Sequence, residues 1–318
     1  MKTILSVIPM NEEQRARLES VAEGCRVIYS SGKTVTESEV QSAEIILGNV
    51  PAEFIHGSKR LELLQLNSAG TDQYTPAGVL APTTVLTNAT GAYSKAVSEH
   101  MFAVMFSLMK KLHLYRGDQR ERVWGDRGTV ESITDMTVLV VGLGDIGLAF
   151  ARICSALGAY VIGVKRRGGE CPDGVHELHL TQELDELLPR ADVVLSILPN
   201  TPDTRGRFNL DAFSRMKKSA IFLNGGRGNA VVTDDLYRAV HEKMIYAAGI
   251  DVTDPEPLPA EHPLWGEENV IITPHISGQF HLAETLRRIV DIAIYNTDAV
   301  LNGKPLRNVV DMQTGYKK

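Results

Sequence analysis

A glycine-rich segment between two apolar runs limits the possible folds of this chain more than any other feature. An apolar, β-branched run at 138–141 is followed by three glycines with G-x-G-x-x-G spacing. A helical pattern of apolar residues then extends over 146–157, and a second apolar run covers 160–164. Strand, tight turn, helix and strand in this order predict a βαβ unit that binds a dinucleotide.

The glycines and the start of the helix have separate roles in such a unit. Gly142 allows the tight turn, Gly144 lets the backbone approach a pyrophosphate, and Gly147 lets the helix pack closely against the strand. The amides of Asp145 and Ile146, at the helix N-terminus, then face the anion. A glycine-rich turn without a ligand is the alternative, but the flanking strands and helix favour a cofactor site.

The end of the second strand carries a cationic cluster. NAD-binding units usually place an acidic residue there, which binds the ribose 2′-hydroxyl. This chain has Lys165, Arg166 and Arg167 instead. Cations attract the 2′-phosphate that a carboxylate would repel, so we predict NADP(H) as the favoured cofactor, with NAD(H) possible. A solvated basic loop is the alternative.

Length, charge and cysteine content narrow the class of protein. A length of 318 residues allows two domains, each with its own core. A net charge of -6 argues against a general nucleic-acid surface. No stretch approaches the roughly 20 apolar residues that cross a bilayer, and the three cysteines lack the spacing of a metal site. We expect a cytoplasmic protein with no metal, membrane or nucleic-acid partner.

The first part of the chain alternates short apolar runs with helical segments, the first of them capped by Asn11. This alternation predicts a parallel sheet covered by helices on both faces. We expect strands at 3–8, 26–30, 44–48, 61–67 and 83–88. One long helical pattern over 94–122 connects this part to the next, and a helix over 279–301 returns the chain to it.

Four more apolar runs follow the βαβ unit and complete a doubly wound domain, which also has a helix capped by Thr233. The runs cover 191–199, 219–224, 245–252 and 269–275. Ligands of such sheets bind beyond the carboxyl ends of the strands. At two of these ends we assign to the cofactor the residues Leu198, Pro199, Gly225 and Gly226.

Three ionisable residues lie at or just beyond strand ends in the same domain: Arg227, Glu256 and His275. Each has a plain alternative, as a turn residue or a solvated charge. Together, beside a dinucleotide site, they suit hydride transfer to a 2-keto acid. Histidine, with an ordinary pKa of about 6.5, can protonate the carbonyl oxygen. A carboxylate stabilises the imidazolium, and a guanidinium binds the substrate carboxylate and polarises the carbonyl.

The whole chain resembles the D-isomer-specific 2-hydroxyacid dehydrogenases. The resemblance rests on the segments VVGLGDIG, LNGGRGNAVVTDDL, AGIDVTDPEPLPAEHPLW and NVIITPHISG. It implies that Arg227 binds substrate, that Glu256, five residues after Asp251, supports the catalytic histidine, and that this histidine is His275. It also implies that Asp251 contacts the nicotinamide carboxamide.

Further expectations come with the resemblance. The amides of Ala69 and Gly70 should hold the substrate carboxylate, and Ser277 and Gly278 should contact the cofactor. The expected fold is α/β, with two doubly wound parallel-sheet domains, a flavodoxin-like substrate domain and a Rossmann cofactor domain, joined by long helices. The expected boundaries are 1–96 with 283–318 for the substrate domain and 97–282 for the cofactor domain. Family members are mostly dimers, with the cofactor domain forming the contact.

Two positions depart from the family pattern. Lys165 stands where most members have aspartate, which favours NADP(H) and is similar to the glyoxylate/hydroxypyruvate reductase branch. Thr253 stands where an aromatic residue is usual. Two alternatives remain open: an NAD-dependent enzyme of the lactate or phosphoglycerate type, and a non-catalytic nucleotide-sensing or corepressor protein on the same scaffold.

Overall fold

The structure, a computed structural model, describes residues 1–315. The chain divides into two compact units. One consists of Met1–Tyr93 together with the segment that begins at Phe280, and the other is Ser94–Gln279. The boundaries expected from the sequence lie three residues further along the chain at both crossings.

The first unit contains five parallel strands, in the order β2-β1-β3-β4-β5. The strands are β1 (Thr3–Ser6), β2 (Arg26–Tyr29), β3 (Ile45–Leu47), β4 (Leu63–Gln65) and β5 (Val85–Thr87). All five were predicted, because each is a short apolar run bounded by turn residues. The strand order is that of flavodoxin-like sheets, whose ligands lie at the carboxyl ends of the strands.

Four helices cover this sheet. They are α1 (Glu12–Val21), α2 (Glu37–Ser42), α3 (Ala52–Ile55) and, from the end of the chain, α10 (Ala283–Leu301). The predicted cap of α1 is confirmed as a capping box, in which Asn11 Oδ1 accepts from the Gln14 N–H at 2.9 Å. Helix α10 buries Ile289, Val290 and Ala293 against the sheet, and this apolar stripe holds it to the first unit.

The second unit contains seven parallel strands, in the order β12-β11-β10-β9-β6-β7-β8. The strands are β6 (Thr137–Val141), β7 (Tyr160–Lys165), β8 (Glu177–Leu180), β9 (Val193–Ser196), β10 (Ile221–Asn224), β11 (Ala247–Ile250) and β12 (Val270–Ile272). This doubly wound order changes direction between β6 and β9, which confirms the predicted Rossmann-type sheet. Strand β8 was not predicted, since it is an edge strand with no fully buried residue.

Two details of the helices correct the sequence analysis. The helices of this unit are α4 (Ser94–Met109), α5 (Leu112–Glu121), α6 (Asp145–Ala156), α7 (Leu184–Leu187), α8 (Leu210–Arg215) and α9 (Thr233–His241). The single helix expected over 94–122 is broken at Lys111, which has φ of 56° and whose Nζ donates to the Arg127 carbonyl at 2.5 Å. Thr233 does not cap α9, because its hydroxyl donates to the Asp254 carbonyl at 2.7 Å.

Within the described residues, no helix has the length and apolar character needed to cross a membrane. The same part of the chain contains no group of three or more His, Cys, Asp or Glu side chains arranged to hold a metal ion.

Candidate active site

The glycine turn after β6 has the shape that the sequence predicted. Gly142 has φ of 101°, and a Cβ at this position would lie 2.5 Å from the Ile197 carbonyl oxygen. A Cβ on Gly147 would overlap the Gly142 carbonyl, so neighbouring backbone atoms exclude side chains at both positions. Beside Gly144, in contrast, a Cβ would meet nothing within 4 Å. The turn is therefore closely packed at Gly142 and Gly147 and open at Gly144, where α6 begins with Asp145.

The cationic cluster lies next to this turn. The N–H groups of Gly142 and Leu143 both donate to the Val164 carbonyl at 3.0 Å. These bonds place the end of β7, where Lys165 is half-buried and Arg166 and its neighbour are exposed, beside the glycine turn. The cluster therefore lies beside the glycine turn, and its contact with a cofactor ribose remains a prediction.

The ends of β9 and β10 pack against each other by their backbones. A Cβ on Gly226 would lie 2.5 Å from the Leu198 carbonyl oxygen, so only glycine fits there. The Gly225 N–H donates to the Ser196 carbonyl at 3.1 Å. Because β9 adjoins β6 in the sheet, Leu198 and Gly226 lie at the same edge as the glycine turn. Pro199 follows at this edge, and the cofactor contacts of these residues remain predictions.

The next strand ends bring together the predicted acid–base pair. His275 Nδ1 lies 2.7 Å from Glu256 Oε1, although the two residues are 19 positions apart. Both side chains are about half exposed. An ionised carboxylate can only accept hydrogen bonds, so Nδ1 carries the proton toward Glu256 and Nε2 is left for proton exchange. This is the relation between base and orienting carboxylate that general acid–base catalysis needs.

The backbone of His275 is held in an unusual conformation. Its φ is 51°, in the left-handed region that non-glycine residues rarely occupy. Its N–H donates to the Asp251 carbonyl at 2.8 Å and to the Thr273 carbonyl at 3.0 Å. A residue in this region persists only when its surroundings hold it there, and such residues are frequent in active sites.

Asp251 holds the turn that carries His275. Its carboxylate is 1% exposed and accepts four hydrogen bonds from this turn. The donors are the Thr273 hydroxyl at 2.6 Å, the Ile276 N–H at 3.0 Å, and the N–H and hydroxyl of Ser277 at 3.0 and 2.5 Å. The expected contact between Asp251 and the nicotinamide remains a prediction, as do the cofactor contacts of Ser277 and Gly278.

His100 extends this network and has no role in the sequence analysis. Its Nε2 lies 3.1 Å from the Thr273 hydroxyl oxygen, which donates to Asp251. An oxygen whose proton is already donated can only accept, so His100 Nε2 carries the proton here. His100 and Thr273 are 173 positions apart, and no local motif connects them.

Arg227 lies on the loop after β10, which adjoins β11. Its side chain is half-buried, and its Nη1 donates to the Gly226 carbonyl at 3.0 Å. A Cβ on Gly228 would overlap the Thr253 carbonyl, so the loops after β10 and β11 are in direct contact. Thr253 is the residue that departs from the family pattern. Its hydroxyl donates to the Pro255 carbonyl at 2.8 Å and so has a hydrogen-bond partner within its own loop.

The predicted carboxylate-binding residues, Ala69 and Gly70, belong to the first unit. They form a half-exposed turn just beyond the end of β4. Nearby, the Tyr93 hydroxyl donates to the Asn67 carbonyl, and burial raises the pKa of this tyrosine well above its ordinary value. Tyr93 therefore acts as a neutral donor that holds the start of the turn.

Comparison with known proteins gives a consistent result. The family model for the NAD-binding domain of D-isomer-specific 2-hydroxyacid dehydrogenases matches residues 102–277. Glyoxylate/hydroxypyruvate reductase B of Salmonella typhimurium is 31% identical over 307 residues, which cover 93% of this chain and 89% of that protein.

Two solved structures show the same similarity over nearly the whole length. A D-isomer-specific 2-hydroxyacid dehydrogenase family protein from Aeromonas salmonicida has a TM-score of 0.86 and 31% identity, with 98% of this chain and 99% of that chain covered. A D-isomer-specific 2-hydroxyacid dehydrogenase from Xanthobacter autotrophicus, in complex with NADPH and MES, has a TM-score of 0.85 and 25% identity, with 99% of each chain covered.

Proposed function

This chain belongs to the D-isomer-specific 2-hydroxyacid dehydrogenase family, and on that premise we propose that it reduces a small 2-keto acid, such as glyoxylate or hydroxypyruvate, with NADPH as the preferred hydride donor. The product is the D-2-hydroxy acid. The observation that carries the proposal is the contact between His275 Nδ1 and Glu256 Oε1, 2.7 Å apart, beyond the carboxyl ends of the strands of the second sheet.

The glycine turn fits a dinucleotide. Side chains are excluded at 142 and 147, while the space beside Gly144 and the N-terminus of α6 is open to a pyrophosphate. Bound in its reduced form, the nicotinamide would supply the hydride for the keto carbon.

The chain's own residues supply the proton and the substrate contacts in this proposal. His275, protonated at both ring nitrogens, gives its Nε2 proton to the keto oxygen as negative charge develops there. Glu256 stabilises the imidazolium before this transfer and afterwards holds the neutral ring with its proton on Nδ1. Arg227 binds the substrate and polarises its carbonyl through its fixed fork of donors. The N–H groups of Ala69 and Gly70 bind the substrate carboxylate.

The cofactor preference rests on Lys165 and its two arginine neighbours. Their position at the end of β7, beside the glycine turn, suits a 2′-phosphate. We expect kcat/KM to be at least about tenfold higher with NADPH than with NADH, since one charge-assisted contact contributes roughly 1.5–3 kcal/mol. The experiment is initial-rate oxidation of both cofactors against glyoxylate, hydroxypyruvate, pyruvate, phenylpyruvate and ketoisocaproate.

A pair of variants tests whether the cationic cluster is responsible for the cofactor preference. Lys165→Asp should reverse much of the NADPH preference, whereas Lys218→Asp should leave it unchanged. Lys218 is an exposed lysine just before β10, at the amino ends of the strands, whereas the cationic cluster lies at their carboxyl ends. If the unmodified protein turns over keto acids but prefers NADH, the 2′-phosphate assignment is contradicted, whereas the proposed reduction of keto acids still holds. Cofactor binding without turnover of any acid favours the sensor or corepressor alternative.

We also propose that the chain is a cytoplasmic homodimer, formed through the second unit. Apolar side chains are strongly exposed on and after α5, among them Leu112, Val123 and the fully exposed Trp124. In a dimer these side chains would pack against a second copy of the chain, which would remove them from water. Light scattering should give twice the chain mass of 34.9 kDa, and Trp124→Asp should shift it toward one chain. Trp265→Asp, at the other exposed tryptophan, is the control; a monomeric unmodified protein contradicts the proposal.

A further inference from the structure

The turn assigned to the substrate carboxylate is held at three successive carbonyls. The Ala89 N–H donates to the Ser68 carbonyl at 2.9 Å. The Asn88 side-chain amide donates to the Ala69 carbonyl at 2.8 Å, and the Ser68 hydroxyl donates to the Gly70 carbonyl at 2.8 Å. Each peptide plane of this short turn is therefore fixed by a donor from the same unit.

These bonds also determine where the N–H groups of the turn point. In a planar trans peptide, the carbonyl oxygen and the following N–H point in opposite directions. The bond from Ala89 to Ser68 therefore turns the Ala69 N–H away from β5. The bond from the Asn88 amide to the Ala69 carbonyl likewise turns the following N–H, that of Gly70, away from β5. Neither N–H donates to any other atom of the described chain, so both are available to an anion.

Asn88 is itself held in one orientation. It is 3% exposed, and its Oδ1 accepts from the Thr90 N–H at 3.2 Å and from the Thr90 hydroxyl at 2.8 Å. A backbone N–H can only donate and the Ala69 carbonyl can only accept, so the amide cannot be reversed. The Asn88 N–H donates to the Asn308 carbonyl at 3.2 Å, and Asn308 Nδ2 donates to the Asn88 carbonyl at 3.2 Å. Side chain and backbone are thus both fixed before any ligand binds.

We propose that Asn88 is a positioning residue for the substrate: it aims the Gly70 N–H at the substrate carboxylate through its bond to the Ala69 carbonyl. The inference rests on the proposed function, because it assumes that this turn binds a 2-keto acid. It assigns to Asn88 an effect on substrate affinity, with no contact to the substrate. Preorganised N–H donors bind an anion without the cost of ordering the loop, and loss of the bond returns that cost.

The first test is Asn88→Asp. Aspartate has nearly the same shape and keeps the acceptor for Thr90, but when ionised it has no donor for the Ala69 carbonyl. We expect KM for the best keto acid to rise about tenfold, the effect of losing one such bond. The Kd of NADPH should stay within twofold. Binding of oxamate, a non-reacting analogue with the same carboxylate, should weaken by the same factor as KM rises.

The matched control is Asn296→Asp. Asn296 is a fully buried asparagine of the same unit, and its amide donates to Gln65 Oε1 and to the Arg307 carbonyl rather than to the turn. This variant should lower the thermal midpoint without changing KM or oxamate affinity. An equal rise of KM in both variants overturns the proposal, because it shows a general effect of a damaged unit.

A milder variant keeps the test decisive if the aspartate variants do not fold. Thr90→Val removes the hydroxyl that donates to Asn88 Oδ1, at a half-exposed position, and so weakens the hold on the Asn88 amide. It should raise KM about threefold, the lower range for one hydrogen bond, and leave the Kd of NADPH unchanged. Unchanged KM and oxamate affinity, in folded Asn88→Asp or in Thr90→Val alone, overturn the positioning role. Failure of the proposed function is distinct, since the unmodified protein would then turn over no keto acid.

Discussion

His275→Ala is expected to lower kcat for keto-acid reduction by about 10²–10⁴-fold, the usual contribution of a general acid. The side chain lies half exposed at the end of β12 and directs Nδ1 at Glu256, 2.7 Å away. Alanine removes the only group that the proposed mechanism uses to protonate the keto oxygen. The Kd of NADPH should change little, because the glycine turn and the cationic cluster are unaltered.

The measurement is single-turnover reduction with NADPH, together with cofactor binding by fluorescence titration. His241→Ala is a close control, because His241 is an exposed histidine of the same unit whose Nδ1 lies 2.9 Å from Glu267 Oε1. It has the same kind of histidine–glutamate pair, on α9, away from the candidate site. Turnover near the unmodified rate in His275→Ala would refute the assignment, whereas an equal loss in both variants would indicate a loss of fold.

Arg227→Ala should lower kcat/KM by roughly 10²–10³-fold, or about 3–4 kcal/mol, the range seen when one donor to a developing oxyanion is removed. The loss should appear in both parameters. KM rises because the guanidinium no longer binds the substrate, and kcat falls because the carbonyl is no longer polarised. Steady-state kinetics with the best keto acid, at saturating NADPH, separates these two effects.

Arg227→Lys distinguishes the geometry of the guanidinium from its charge. Lysine keeps the positive charge but lacks the planar fork of donors, so it should recover part of KM and little of kcat. The backbone of the loop should be unaffected in both variants, because Asn224 Nδ2 donates to the Arg227 carbonyl and Gly228 contacts the Thr253 carbonyl. If KM and kcat both stay unchanged in Arg227→Ala, this residue has no part in the reaction.

Much of the fold could be predicted because it depends on local signals. Eleven of the twelve strands follow from short apolar runs between turn residues, and the N-cap of α1 follows from Asn11. The failures occur where local signals are weak or compete with distant contacts. Strand β8 is a polar edge strand, and the break at Lys111 is stabilised by a carbonyl 16 positions away.

The kind of sheet, the glycine turn and the candidate chemical groups could all be predicted, because they depend on residue type and on spacing over a short stretch of chain. The contacts by which these groups support one another depend on the tertiary structure. It places Glu256 against His275, surrounds Asp251 with four donors of one turn, and brings the Asn88 amide to the Ala69 carbonyl. Partners in these contacts are 19 to 26 positions apart, and packing of neighbouring parallel strands brings their ends together. No local pattern encodes such a contact, since its geometry depends on how the strands pair.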